Sequence, residues 1–332
     1  MLRILARAAL LALGAFAGGE LAVRILADVP LAERLPIMSA QANEFRGWAM
    51  VPGEAHYTYQ HKVQLNSHGF RSREIEPKQE GELRVLALGD SLLYGQGVAT
   101  EDTITAEMET LLRERMPGRP VNVINAGHRA YDTRQELGLV RELGAELDPD
   151  VVIVFWFWND LHERPIEKTY DALQRIGTIA FDVGAPMEGW VEAKWRATQL
   201  VRSSALVMYL YDWWRATSHS GEMAPDYVDA GMERFEFYLS QFQRLSGELG
   251  FRLVYAIIPE PAGLMAPHHT HAVDARAAEL LAAAGVETIQ FQAALSALAH
   301  ETGRLPVIPY DGHYLPEGNR VMAEAVVEAL AP

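Results

Sequence analysis

Ser91, Asp311 and His313 are the residue types that acyl transfer uses, and each stands next to a predicted segment boundary. The reaction needs a nucleophile, a base to take its proton, a group to orient the base, and donors for the developing oxyanion. Ser91 offers the hydroxyl, His313 the base and Asp311 the orienting carboxylate. The amides of Ser91 and Gly127 and the side-chain amide of Asn159 are the candidate donors. Taken singly, each has a plainer reading. Gly-Asp-Ser after a strand is often a turn, a lone histidine is often a capping residue, and an asparagine at a strand end often makes an Asx turn. The set is complete only if the chain brings its parts together.

The elements that must do so follow a βαβ rhythm. Leu83 to Gly89 reads as a buried strand that stops at Gly89-Asp90, with a loop punctuated by Gly95 and Gly97 beyond it. A helix is expected from about Thr103 to Arg115, and a second strand at Val121 to Asn125 ending in Ala126-Gly127. Thr133-x-x-Glu136 matches a capping box and opens a helix to about Leu147. The almost continuous apolar run Asp150 to Trp158 is that of a strand buried on both faces, and it ends in Asn159-Asp160. Ligands collect beyond the carboxyl ends of parallel strands, where Ser91, Gly127 and Asn159 fall.

From about residue 161 to 230 the rhythm breaks into an aromatic-rich, lid-like insertion, expected to be partly helical around 200–214. Its tryptophans suit sugar stacking, an acyl slot, or packing on the sheet. The pattern resumes with a helix from Met232 to Leu249, a strand from Phe251 to Ile258, a helix near 274–284, a strand near 286–291 and a helix near 293–300. A last helix runs from Pro316 to Leu330, its proline suited to a first turn.

Composition narrows the classes. The chain has 332 residues, 49% hydrophobic and 22% charged, enough for a sizeable core. A net charge of -15 argues against a nucleic-acid partner. With no cysteine, disulfides, thiolate catalysis and Cys-ligated zinc are excluded. His268-His269-x-His271 reads as a solvated loop rather than a metal site, and no metal is expected. His128 and His162 lie near the proposed rim as incidental neighbours.

Arg3 and Arg7 precede an uncharged run from Ala8 to Gly19, which reads as the core of a signal peptide within residues 1–27. Apolar residues continue beyond it, and Glu20 and Arg24 are spaced to pair on one helix face, so an uncleaved anchor fits as well. Either would export the rest of the chain and, as an anchor, attach it to a membrane. Residues 28–82, with several prolines, read as a linker and extension carrying strand-like pieces such as His56 to Tyr59.

The ordered blocks Gly89-Asp90-Ser91, Ala126-Gly127, Asn159-Asp160 and Asp311-x-His313 resemble the SGNH (GDSL-type) hydrolase superfamily over about Arg84 to Leu330. The Asn66-x-x-Gly69-Phe70-Arg71 lead-in resembles its exported bacterial members. The resemblance implies a flavodoxin-like three-layer α/β/α sandwich in residues 83–332 and a cofactor-free serine esterase. Its substrates would be acyl or acetyl esters, often on carbohydrates. Two departures stand out. Phe157 occupies the place of a glycine, which would narrow the pocket or shift the Asn159 loop. The Asp311-to-His313 spacing is one residue short, with Tyr310 at the usual place. Gly312 would let the loop adapt, or Asp90, Asp160 or a backbone carbonyl would share the orienting role. The same site also suits an O-acyltransferase acting on an envelope polysaccharide, and the departures suit a non-catalytic glycan-binding protein.

Overall fold

In the computed structural model, residues 1–163, 165–176, 179–182, 185–186, 189–218 and 223–330 are described. The chain starts with helix α1 (Leu2–Leu26), followed by short strands β1 (Ser39–Asn43), β2 (Gly47–Met50), β3 (Ala55–Thr58) and β4 (His61–Gln64). Then come β5 (Leu83–Gly89), α2 (Ser91–Tyr94), α3 (Ile104–Arg115), β6 (Val121–Asn125), α4 (Thr133–Leu147) and β7 (Val151–Trp156). The insertion contributes α5 (Ile166–Ile176), β8 (Ile179–Asp182), β9 (Ala185–Pro186), α6 (Gly189–Arg202) and α7 (Ala205–Ser218). The core resumes with α8 (Pro225–Leu249), β10 (Arg252–Ile257), α9 (Thr270–Ala283), β11 (Glu287–Gln290), α10 (Gln292–Thr302) and α11 (Pro316–Leu330).

Five strands form one parallel sheet in the order β11-β10-β7-β5-β6. Numbered along the chain, the core strands run 2-1-3-4-5, the flavodoxin-like order. Alternation along each strand sorts the side chains into two cores. Val85, Ala87, Ile153, Phe155 and Val254 face α3, α10 and α11. Leu86, Leu88, Val152, Val154, Trp156 and Tyr255 face α4, α8 and α9. The chain turns back across β5 between β6 and β7, and the crevice of such a reversal is where ligands bind.

Several boundaries differ from the sequence reading. The N-cap of α4 is Asp132, whose carboxylate accepts from Gln135 N, so Thr133 is the first helical residue rather than the cap. Helix α8 begins at Pro225, earlier than Met232, because proline at a first turn continues naturally into the helix. Residues 28–82 carry four short strands, of which β3 covers most of the expected strand-like piece His56 to Tyr59. Strand β1 pairs with β2 and also with β8 of the insertion, so extension and insertion share an antiparallel sheet. Strands β3 and β4 form a hairpin whose tip carries Tyr59. The insertion is more helical than its composition indicated. Trp190, Tyr209, Tyr211, Trp213 and Trp214 are exposed rather than packed on the sheet.

Helix α1 is continuous through residue 26, about 37 Å of helix. Among the described residues it is the one helix long and apolar enough to cross a membrane, with a mean hydropathy of 1.7. That is compatible with a signal peptide or an anchor. Glu20 pairs with Arg24 at 2.7 Å, and its carboxylate also accepts from Ser204 Oγ and the amides of Ala205 and Leu206. It thereby caps α7, against which α1 packs.

Candidate active site

Ser91 is the first residue of α2, immediately beyond β5. Asp90 holds this elbow: its Oδ1 accepts from Leu92 N and its Oδ2 from Asn159 Nδ2, both at 2.8 Å. The ends of β5 and β7 are thus tied together by one carboxylate. Leu92, Leu93 and Tyr94 are buried behind the serine. Arg71, 2% exposed, secures the loop that follows, donating to the carbonyls of Tyr94, Gly95 and Val98 at 3.0, 2.6 and 2.8 Å. The Gly69-Phe70-Arg71 lead-in therefore holds the elbow from behind.

His313 lies in the loop before α11, with Nε2 2.8 Å from Ser91 Oγ. Its other ring nitrogen, Nδ1, contacts Asp311 Oδ1, which also accepts from His313 N at 3.1 Å. The short spacing closes because Gly312 has φ +96°, a conformation that favours glycine. Tyr310, at the more usual spacing, instead donates to the carbonyl of Asp28.

Asp311 Oδ2 accepts from Tyr59 Oη at 2.5 Å and from Gln96 Nε2 at 3.4 Å. Burial alone would raise the Asp311 carboxyl. The His313 charge and the hydrogen bonds from His313 and Tyr59 outweigh that and hold it below the ordinary carboxylate range. Burial and the neighbouring Asp311 push the Tyr59 phenol up, so it stays a donor. The sequence does not mark Tyr59 as a site residue, because its hairpin meets the site only in three dimensions.

The candidate oxyanion donors are placed unequally. Ser91 N–H, at the open start of α2, has no acceptor among the described residues. Asn159 Nδ2 uses one hydrogen on Asp90 and keeps a second. Gly127 N–H already donates to Asn125 Oδ1 at 3.0 Å. Glycine is required there, since a Cβ would lie 2.5 Å from the amide nitrogen of Tyr94. Phe157 sits in ordinary extended backbone (φ -131°), and its side chain packs against the core formed by α3, α10 and α11. The glycine is thus replaced without backbone strain. The two ring nitrogens of His313 are engaged by Asp311 and Ser91, while Asp160 accepts from Phe157 N and Asp90 from Leu92 N and Asn159.

His128 is fully buried, bonded through Nδ1 to the Ala126 carbonyl and stacked on Tyr131. Burial lowers its pKa to about 3, so it is neutral and structural. His162 is exposed and lies 3.3 Å from the Tyr227 hydroxyl. His268 and His271 contact Thr270 Oγ1 and the Gly263 carbonyl.

Behind the elbow, the 1% exposed Glu136 is raised well above the ordinary carboxyl range by burial, and further by Asp160, Asp90 and Asp132. The folded protein then holds a proton that the unfolded chain releases above about pH 4.3. Stability should therefore fall as pH rises past that point. Glu136→Gln, a neutral replacement of the same shape, is expected to flatten this decline in urea unfolding compared at pH 5 and pH 8. Parallel profiles for the two proteins would mean that Glu136 is ionised in the folded state.

No family model matches the chain, and neither does any curated protein. Among solved structures it is similar to TesA, with 16% identity, a TM-score of 0.44 and coverage of 75% of this chain and 98% of that one. It is also similar to an acetyl xylan esterase, AlAXEase, at 14% identity and TM-score 0.44, over 74% and 99% of the two chains. A third similar structure is a lipase/acylhydrolase from Enterococcus faecalis, at 14% identity and TM-score 0.44, over 75% and 95%.

Proposed function

We propose that the protein is a serine ester hydrolase working through an acyl-enzyme. The observation that carries this reading is the contact of His313 Nε2 with Ser91 Oγ at 2.8 Å, with Asp311 on the opposite ring nitrogen. Ser91 Oγ attacks the ester carbonyl carbon as His313 Nε2 takes the hydroxyl proton. His313 returns that proton to the leaving alkoxide, and the acyl group stays on Ser91. Water then attacks, His313 again accepting a proton, and the carboxylic acid leaves with Ser91 restored.

Asp311 keeps the Nδ1 proton in place and stabilises the imidazolium. Ser91 N–H and the second Asn159 Nδ2 hydrogen receive the oxyanion, each such donor contributing about 3–4 kcal/mol. Gly127 N–H joins them if its bond to Asn125 opens. The chemistry needs no cofactor. The substrates proposed are acyl or acetyl esters, carbohydrate-linked among them. The catalytic domain is proposed to lie outside the cytoplasm with α1 as signal or tether, a reading that the length and apolar character of α1 support.

A small fluorophosphonate tests the reading. Intact mass should show one adduct on the wild-type protein and none on Ser91→Ala. A folded wild-type protein that stays unlabelled would overturn it.

A further inference from the structure

Arg129, two residues beyond Gly127, is 4% exposed, and it makes no hydrogen bond or ion pair among the described residues. Its Nε is wholly buried without an acceptor. A guanidinium removed from water is costly unless an anion or several acceptors replace the lost hydration. In this chain buried arginines otherwise find them: Arg84 pairs with Glu82 at 2.7 Å, and Arg71 is met by three carbonyls.

Arg129 lines a cavity of about 340 Å³ between the triad and helix α6. Lys194 and Arg202 of α6 line the same cavity, as does Trp195, whose indole Nε1 is also buried without a partner. Two carboxylates, Asp311 and Glu33, also border it. Asp311 is engaged by His313, Tyr59 and Gln96, and Glu33 accepts from Gln199 at 2.8 Å. The cavity therefore presents two unanswered buried donors and two further cations, in a protein whose overall charge is -15.

We infer that this cavity is a subsite for a carboxylate carried by the ester substrate, with Arg129 as the principal contact and Trp195 Nε1 and the α6 cations around it. The inference rests on the esterase reading and adds the substrate class. A planar carboxylate matches the guanidinium fork, accepting two parallel hydrogen bonds. The carboxylate could belong to the alcohol, as in a uronic-acid glycoside, or to the acyl group, as in a dicarboxylic half-ester. Both present the same group to Arg129.

Binding to the full chain carrying Ser91→Ala, in detergent, needs no turnover and so reads the subsite by itself. Calorimetry would compare methyl glucuronide with methyl glucoside, and methyl hydrogen succinate with methyl butyrate. In at least one pair the anion should bind roughly 10–100-fold more tightly, the worth of a charged hydrogen-bonded contact. The pair that responds identifies the side of the ester that carries the carboxylate. Adding Arg129→Met should abolish the difference, and Arg129→Lys should restore part of it.

If the buried Arg129→Met does not fold, Lys194→Met and Arg202→Met at the rim should each narrow the difference by about 2–5-fold, as the loss of a partly screened charge would. Equal binding within both pairs would overturn the inference, leaving hydration by water as the answer to Arg129. That outcome is separate from failure of the esterase reading, in which the wild-type protein turns over no ester and takes no fluorophosphonate while anion binding persists.

Discussion

Replacing Ser91 with alanine is expected to lower ester turnover by about 10³-fold or more while leaving the fold in place. The change removes the one atom that forms the acyl bond. That hydroxyl bonds to His313 Nε2, so little else is lost. The elbow does not depend on it: Asp90 caps α2 through Leu92 N and reaches Asn159, and Arg71 holds the following carbonyls. The melting temperature should therefore move by only a few degrees, as for about 1 kcal/mol or less in a domain of this size. Rates with a chromogenic acetyl ester, paired with a thermal melt, make the test. A folded variant that keeps most of the wild-type turnover would sink the mechanism. A wild-type protein with no turnover, yet able to bind glycans regardless of Ser91, would be a binding protein on a hydrolase-like fold. Transfer of the acyl group to an added glycan hydroxyl would identify the acceptor as sugar rather than water.

The parallel core was legible because its signals are local. The strands ending at Gly89, Asn125 and Trp156 are runs of apolar residues bounded by turn formers, and α11 carries its proline at the first turn. Ser91, Asn159, Asp311 and His313 are brought together because each follows or neighbours such an element. The misread portions depend on distant partners. Strand β1 finds β8 across more than a hundred residues, a pairing that neither segment encodes by itself. Apolar periodicity marks helices that bury a face, and α6, most of which precedes the stretch expected to be helical, leaves Trp190, Leu200 and Val201 exposed. Tyr59 sits on a hairpin tip at φ 51° without a glycine or asparagine to announce the turn. Nothing in the sequence distinguishes Arg129 from any other charged residue of a loop. The signal that distinguishes it, burial without an acceptor, exists only in the folded chain.

Asp311→Ala should lower turnover by about 10⁴-fold, whereas Asp311→Asn should cost only about 10–100-fold. The difference follows from the donors around the carboxylate. Oδ1 faces two hydrogen donors on His313, the backbone amide and ring Nδ1. Oδ2 faces the Tyr59 hydroxyl and the Gln96 amide. An asparagine would direct its oxygen towards the two His313 donors, because the reversed amide would oppose hydrogens there. Its NH₂ would then meet Tyr59, whose hydroxyl can rotate to accept, and Gln96, whose amide can flip. The imidazole keeps the tautomer that leaves Nε2 able to take the Ser91 proton, and only the charge facing the imidazolium is lost. Alanine removes both the orientation and the charge. Tyr59→Phe combined with Asp311→Asn closes the argument, because the amide then loses its accepting partner and can reverse. The double variant should fall towards the alanine level, although Tyr59→Phe alone should cost no more than about tenfold, the scale of one hydrogen bond. Measuring kcat and KM separately distinguishes this from altered binding, since orientation of the base acts on kcat. Asp311→Ala with near wild-type kcat would remove Asp311 from the orienting role. An asparagine variant as slow as alanine would mean that its amide lies reversed even with Tyr59 present.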